Sequence, residues 1–252
     1  MDLNLKGRKA IVTGGTRGIG RAIVDLLADE GCDVAFCARN AEQVAAAVKA
    51  IEAKGVKAHG EVVDVSAEGA VAGFVASAAE ALGGVDIFVS NVSGAMGLAN
   101  TPDAWKTAVE VDILRTVEGC EAAAGLLGPG GSIVVIGTIS AIEVTGPRRP
   151  YSAVKAALLP YVKNLARDLA PKNIRANVVA PGPIYFEGGV WDMIEKTMPD
   201  RFAATLARSP LGRLGAPEEI ANAAVFLASP RASYITGVNL ICDGAVTQRV
   251  DF

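Results

Sequence analysis

The sequence predicts an α/β fold: a doubly wound, mainly parallel sheet of about seven strands, forming one domain with helices on both faces. Three observations carry this expectation. Short β-branched apolar runs alternate with longer segments whose apolar residues recur at i, i+3 and i+4. The runs are apolar almost throughout, as strands covered on both faces of a parallel sheet must be. The chain has 252 residues, 51% of them hydrophobic and 20% charged, which is enough for one large core. Regular alternation of this kind implies right-handed crossovers between neighbouring parallel strands.

Taken in order, the strands are expected at KAIVT (9–13), CDVAFCA (32–38), VKAHGEVV (56–63), VDIFVS (85–90), GSIVVIG (131–137), IRANVVA (174–180) and VNLIC (238–242). Helical spacing fills the gaps, for example RAIVDLLADEG (21–31), AEQVAAAVKAIEAKG (41–55) and AEGAVAGFVASAAEALGG (67–84). Ser66 is placed to cap the last of these. No solenoid-period repeat, low-complexity tract or interdomain linker interrupts the pattern. The region from about 183 to 212 departs from it. PIYFEGGVWDMIEKTMPDRF brings aromatic, Met and Pro residues where the next βα unit should begin. It reads as an insertion over the site.

Composition excludes several classes. With Lys+Arg 24 against Asp+Glu 27 the net charge is -3, so no basic surplus points to nucleic acid or an anionic membrane. The start MDLNLKGRKA lacks the apolar core of a signal peptide, and no apolar run reaches the roughly 18 residues of a membrane helix. The cysteines, Cys32, Cys37, Cys120 and Cys242, form no CxxC pair and fit reduced thiols in a cytoplasmic protein. His59 is the single histidine and lies in or beside a strand, so it reads as structural. No metal site is expected, and acid–base chemistry falls to Tyr, Lys or carboxylates.

The stretch IVTGGTRGIG (11–20) sits between the first strand and the first helix. A helix N-terminus leaves backbone N–H groups unpaired and carries partial positive charge. Glycine lets a phosphate approach those groups. Gly14, Gly18 and Gly20, with Thr16, Arg17 and Ile19 between them, lie where a Rossmann-type fold seats a dinucleotide diphosphate. The second strand ends in Ala38-Arg39, with no carboxylate to accept the ribose 2′-OH. Arg39 and Arg17 suit a 2′-phosphate instead, so NADP(H) is expected over NAD(H). Asn91 ends the fourth strand, at the carboxyl edge where ligands bind.

Tyr151 and Lys155 are four apart, which puts them on one face of a helix started near Pro150. A free tyrosine ionises near ~10, and a neighbouring ammonium favours the phenolate. Such a pair forms an acid–base unit without histidine.

TGGTRGIG, SNVSG (90–94), YSAVK (151–155), PGPI (181–184) and the tail RLGAPEEIANAAVFLASPRASYITGVNLICDGA together resemble the short-chain dehydrogenase/reductase family, in particular its 3-oxoacyl-ACP-reductase-like members. The resemblance spans essentially the whole chain. It implies that Tyr151 exchanges a proton with a substrate hydroxyl or carbonyl and that Lys155 also binds the nicotinamide ribose. It implies a hydroxyl donor thirteen residues before the tyrosine, usually serine; here that position is Thr138. Ser140 is the backup donor, because alternation in an extended segment would point it the same way. It implies adenine contact by Asp64 and Val65, and nicotinamide contact by Pro181, Gly182 and Ile184. A threonine common two positions after the Ile is replaced by Phe186.

A further departure lies in AWKTAVEVDIL, where the family's asparagine is Asp112. A carboxylate there would offset part of the ammonium's pull on the phenolate. A solvent-facing helix residue is the other reading of Asp112. The resemblance further implies a homotetramer.

Tyr185, Phe186, Trp191, Met193, Ile194 and Met198 supply apolar surface for a lid closing on a hydrophobic or aromatic substrate. Packing on the sheet or on another subunit is the other reading. Arg148 and Arg149 could meet an anionic substrate tail, although solvated loop charges are the simpler reading. The expected reaction is reversible hydride transfer between NADP(H) and a carbonyl or secondary alcohol. Two other classes stay open: a same-fold NADP enzyme without net redox, such as an epimerase or dehydratase, and a catalytically weakened cofactor-binding regulatory protein.

Overall fold

The computed structural model describes residues 2–94, 99–146 and 149–250. Seven strands, β1 (Lys9–Thr13), β2 (Asp33–Ala38), β3 (Ala58–Val62), β4 (Ile87–Ser90), β5 (Ser132–Ile136), β6 (Arg175–Pro181) and β7 (Asn239–Cys242), form one parallel sheet. Their order is β3-β2-β1-β4-β5-β6-β7. Six fall within the runs read from the sequence, and β6 extends one residue past its run, to Pro181. The chain winds outward from β1 to β3, then returns to lay β4 beside β1. That reversal opens a crevice at the carboxyl ends of β1 and β4.

Strand side chains alternate between two cores. Ala10, Val12, Val34, Phe36, Ile87, Val89, Val134 and Ile136 pack on one face with α1 (Gly18–Asp29), α2 (Ala41–Glu52) and α9 (Pro217–Ala228). Ile11, Ala35, Cys37, Phe88, Ile133 and Val135 pack on the other with α3 (Ala70–Leu82), α5 (Arg115–Ala124) and α6 (Arg149–Leu169). The two-residue period of a strand thus feeds both layers, so the inner strands are apolar over most of their length, with Ser132 and Asn177 among the buried polar exceptions.

Local chemistry sets three boundaries that matter for the site. Asp64 accepts bonds from Ser66 N–H and Oγ, forming a turn that delays α3 until Ala70. The cap position is Gly69 in the left-handed region, not Ser66 as the sequence reading has it. Beyond β4, α4 (Pro102–Thr107), capped by Thr101, runs into a π-helical segment, Ala108–Leu114, and then into α5. Between β6 and α9, residues 183–212 hold two short helices, α7 (Val190–Thr197) and α8 (Pro199–Ala207). A parallel bridge between Ile184 and Gly215 ties the base of this excursion together.

Candidate active site

Because every strand points the same way, their carboxyl ends gather the candidate residues on one edge. Gly14 follows β1, Arg39 follows β2, Asp64 follows β3, Asn91 follows β4, Thr138 follows β5 and Gly182 follows β6.

The glycine loop is built from backbone. Gly14 and Gly15 N–H donate to Cys37 O at 3.0 and 3.1 Å. Asn91 Nδ2 donates to Thr13 O at 3.1 Å and Gly14 O at 3.2 Å, and Asn91 N–H to Thr13 Oγ1 at 2.9 Å. Asn91 therefore clamps the loop from β4. A Cβ at Gly20 would lie 2.1 Å from Gly14 O, so any side chain there would force loop and helix apart. Arg17 holds the N-cap position in extended backbone and gives no side-chain cap, which leaves the first-turn N–H groups of α1 open to a ligand. Thr16 Oγ1 instead reaches Gln43 Oε1 at 3.3 Å, and Arg17 Nη1 reaches Gly188 O at 3.4 Å. Ile19 is half-buried in the first turn of α1. A close-approach backbone cradle at the positive end of a helix fits a dinucleotide diphosphate.

At the far end of the crevice Arg39 and Asp64 are both exposed, and Val65 is buried. Asp64 is held below the usual carboxylate range, first by the Ser66 N–H and hydroxyl and further by the Arg39 charge. The two candidates for the adenosine end thus share one electrostatic environment.

The candidate acid–base residues gather near the carboxyl end of β5. Tyr151, half-buried, and Lys155, 3% exposed, are one turn apart on α6. Lys155 Nζ donates to Ile136 O at 3.1 Å and lies 3.2 Å from Asp112 Oδ1. Asp112 is 0% exposed and its Oδ2 accepts from Gly94 N–H at 3.1 Å. The solvent-facing reading of Asp112 is therefore wrong. The π-helical segment, which widens the helix at that turn, carries the carboxylate inward.

Thr138 is buried, in extended backbone, and its Oγ1 accepts from Ser140 N–H at 3.2 Å. The chain then turns into a 3₁₀ helix, Ile139–Ala141. The alternation that made Ser140 the backup donor does not exist. Its hydroxyl is engaged with Thr145.

Pro181 ends β6, Gly182 N–H donates to Cys242 O at 3.0 Å, and Ile184 is buried. In the excursion Ile194 is buried while Met193 is 49% exposed. Tyr185 OH donates to Glu195 Oε2 at 2.7 Å and to Asp192 Oδ1 at 3.2 Å, which pushes the phenol up to about 12. Arg149 opens α6 and is exposed; Arg148 lies outside the described residues. His59 sits on β3 with Nε2 2.7 Å from Glu61 Oε1. Among the described residues no group of three or more His, Cys, Asp or Glu is placed to hold a metal ion, and no helix is long and apolar enough to cross a membrane.

Two positions escaped the sequence reading. Gly94, which anchors Asp112, carried no signal beyond its place in SNVSG. Gly189, which meets Phe186, carried only the doubled glycine of EGGV.

Comparison with known proteins agrees with this geometry. The family model described as enoyl-(acyl carrier protein) reductase matches residues 14–247. The chain is 36% identical over 252 residues to isoepoxydon dehydrogenase patN of Penicillium expansum, covering 98% of this chain and 97% of that one. It is 32% identical to the 3-oxoacyl-[acyl-carrier-protein] reductase FabG of Chlamydia pneumoniae, over 98% of this chain and 100% of that one. A short chain dehydrogenase from Burkholderia cenocepacia J2315, solved in complex with NADP, superposes with a TM-score of 0.90 at 34% identity, over 96% of this chain and 98% of that one. With this sheet order, glycine loop and full-length likeness, the chain belongs to the short-chain dehydrogenase/reductase family and is an oxidoreductase of the FabG-like kind.

Proposed function

We propose that this enzyme catalyses reversible hydride transfer between NADP(H) and the carbonyl or secondary alcohol of a small, largely apolar substrate, with Tyr151 and Lys155 as its acid–base pair. The observation that carries the reading is the placement of Lys155. It is buried and donates to Ile136 O at the carboxyl end of β5, one helical turn along α6 from a half-buried Tyr151, and the buried Thr138 follows Ile136 by two residues. The chemistry the nicotinamide supplies when bound is hydride exchange with a carbonyl carbon.

The protein's own residues do the rest. Backbone N–H groups at Gly18–Gly20 hold the diphosphate, and Asn91 keeps that loop in place. Arg39 and Arg17 meet the 2′-phosphate; Asp64 and Val65 border the adenine; Pro181, Gly182 and Ile184 present backbone to the carboxamide. Thr138 donates its hydroxyl hydrogen to the carbonyl oxygen while its lone pair stays with Ser140 N–H. Tyr151 gives or takes the proton at that oxygen. Lys155 is fixed by Ile136 O and Asp112, one helical turn from the phenol.

The segment 183–212 acts as the lid, and its half-buried Tyr185 and Trp191 support an apolar or aromatic substrate. Exposed Trp105, Val109 and Leu114 on the α4–α5 stretch support assembly as a homotetramer, which light scattering would check.

The deciding experiment screens ketones, keto esters, acyl thioesters and secondary alcohols with NADPH and NADH, following nicotinamide absorbance. NADPH consumption that requires Tyr151 is expected. No turnover with any substrate despite tight NADPH binding would favour the regulatory reading. Substrate conversion without net absorbance change would favour an epimerase or dehydratase.

A further inference from the structure

Phe186 lies two residues beyond Ile184, where the chain leaves the sheet edge for α7. Its ring turns back on α1. A Cβ built on Gly18 would lie 2.5, 2.8 and 2.9 Å from Phe186 Cζ, Cε1 and Cε2. A Cβ built on Gly189 would lie 2.9 Å from Cζ and 3.0 Å from Cε1. The tip of the ring thus fills the Cβ space of two glycines, one at the start of α1 and the other just before α7.

Gly18 has a second reason to be glycine, its φ of +55°. Gly189 has none: its φ of −84° and ψ of 177° suit any residue. The nearest atoms to its Cβ position all belong to Phe186: the ring, and the carbonyl oxygen at 2.9 Å. The turn is drawn to α1 by a polar contact as well, Arg17 Nη1 to Gly188 O at 3.4 Å. Inside the turn, Gly189 N–H donates to Phe186 O at 3.0 Å and Gly188 N–H to Asp192 Oδ2 at 3.1 Å, so residues 186–192 hold together as a unit.

We infer that Phe186 is a cofactor-retention residue. Its ring fastens the 186–189 turn, and α7 behind it, onto the N-terminus of α1 and so closes the outer mouth of the diphosphate cradle. The inference rests on the reading that this cradle binds NADP(H). It goes beyond that reading by assigning the escape step of the dinucleotide to one apolar contact. A residue at the rim of a closed site acts mainly on departure, since affinity differences among variants of one interface lie mostly in the dissociation rate. Phe186 is a positioning residue, not one that touches the reacting atoms.

The test is stopped-flow displacement of NADPH by excess NADP⁺, read by nicotinamide fluorescence, on the wild type, Phe186→Ala, Phe186→Leu and Gly189→Ala. The Ala variant at 186 is expected to release NADPH about tenfold faster, as loss of a phenyl contact predicts, with little change in association. Gly189→Ala keeps the ring but denies it its seat, and is expected to do the same. Phe186→Leu keeps an apolar tip and should fall between them and the wild type. If Phe186→Ala does not fold, Gly189→Ala carries the test. Dissociation within about twofold of wild type in the folded Ala variants overturns the inference while leaving NADP(H) binding intact. Failure of the wild type to bind NADPH at all removes the cofactor reading and the inference with it.

Discussion

Lys155 Nζ and Asp112 Oδ1 stand 3.2 Å apart with both side chains buried. Helix α6 supplies the ammonium and the π-helical segment supplies the carboxylate, so the pair also bolts two elements together across the site. Removing one partner of a buried pair strands the other, at a cost of about 3–5 kcal/mol. Asp112→Ala is therefore expected to lower the melting temperature by about 10 °C. Asp112→Asn keeps an acceptor for Lys155 and for Gly94 N–H and should lose less. Thermal denaturation of the two variants compares them directly; an unchanged midpoint in Asp112→Ala would show that the pair holds nothing.

Tyr151→Phe removes one oxygen from a half-buried ring and leaves Lys155 in place. Turnover should fall by about 10²–10⁴-fold, the usual worth of a positioned proton donor. NADPH affinity, measured by fluorescence titration, should stay near wild type. Near-normal kcat in this variant would end the assignment of Tyr151.

The two hydroxyls after β5 have unequal prospects. Thr138 is buried and uses its oxygen only as an acceptor from Ser140 N–H, whereas Ser140 is tied to Thr145. Thr138→Val should cost about 10²–10³-fold in kcat, the effect of losing one oxyanion donor. Ser140→Ala should stay close to wild type. Steady-state kinetics with one substrate decides, and the reverse ranking would restore Ser140 as the donor.

Arg39 stands exposed within the electrostatic reach of Asp64. A charge-assisted bond to a 2′-phosphate contributes about 1.5–3 kcal/mol, so Arg39→Ala should raise the NADPH KM by about ten- to a hundredfold and leave the NADH KM unchanged. Equal KM values for the two cofactors in the wild type would remove the 2′-phosphate assignment.

Burial pushes three thiols up, Cys37 to about 11 and Cys32 and Cys120 to about 12. The unfolded chain would release those protons at the ordinary thiol value of 9.0, before the folded chain does. Folded protein then holds more protons than unfolded, so stability falls as pH rises through that window. The contribution is complete below it. Urea unfolding at increasing alkaline pH should show the decline, and Cys32→Ala should flatten it. Disulfide reagents at neutral pH should leave these three thiols unlabelled in the native protein.

Strand positions were legible because a parallel sheet buried on both faces demands unbroken apolar runs, and 9–13 or 132–136 can be little else. The glycine loop was legible for a similar reason: its chemistry is backbone chemistry, written in the spacing of Gly14, Gly18 and Gly20. The four-residue spacing of Tyr151 and Lys155 alone fits an ordinary helix surface, and it was the glycine loop and the architecture that made them candidates for a pair. Asp112 could not be oriented, because a helical period assumes a regular helix and the π segment shifts every residue after it. Ser140 was misread for the related reason that a strand period was carried past the end of β5. Ser66 lost its cap to the turn that Asp64 makes with it, a contest between two local hydrogen-bonding patterns that the sequence leaves even.

By itself the sequence determined the layers and the strand runs and named candidates for holding a diphosphate or moving a proton, since these follow from hydrophobic period, glycine spacing and side-chain chemistry within a few residues. Only the tertiary structure decided which distant groups meet: Asp112 with Lys155, Asn91 with the glycine loop, Phe186 with Gly18 and Gly189. Those meetings depend on how helices and loops from separate crossovers dock at the carboxyl edge of the sheet, and the distances that fix them are set by packing, not by separation along the chain.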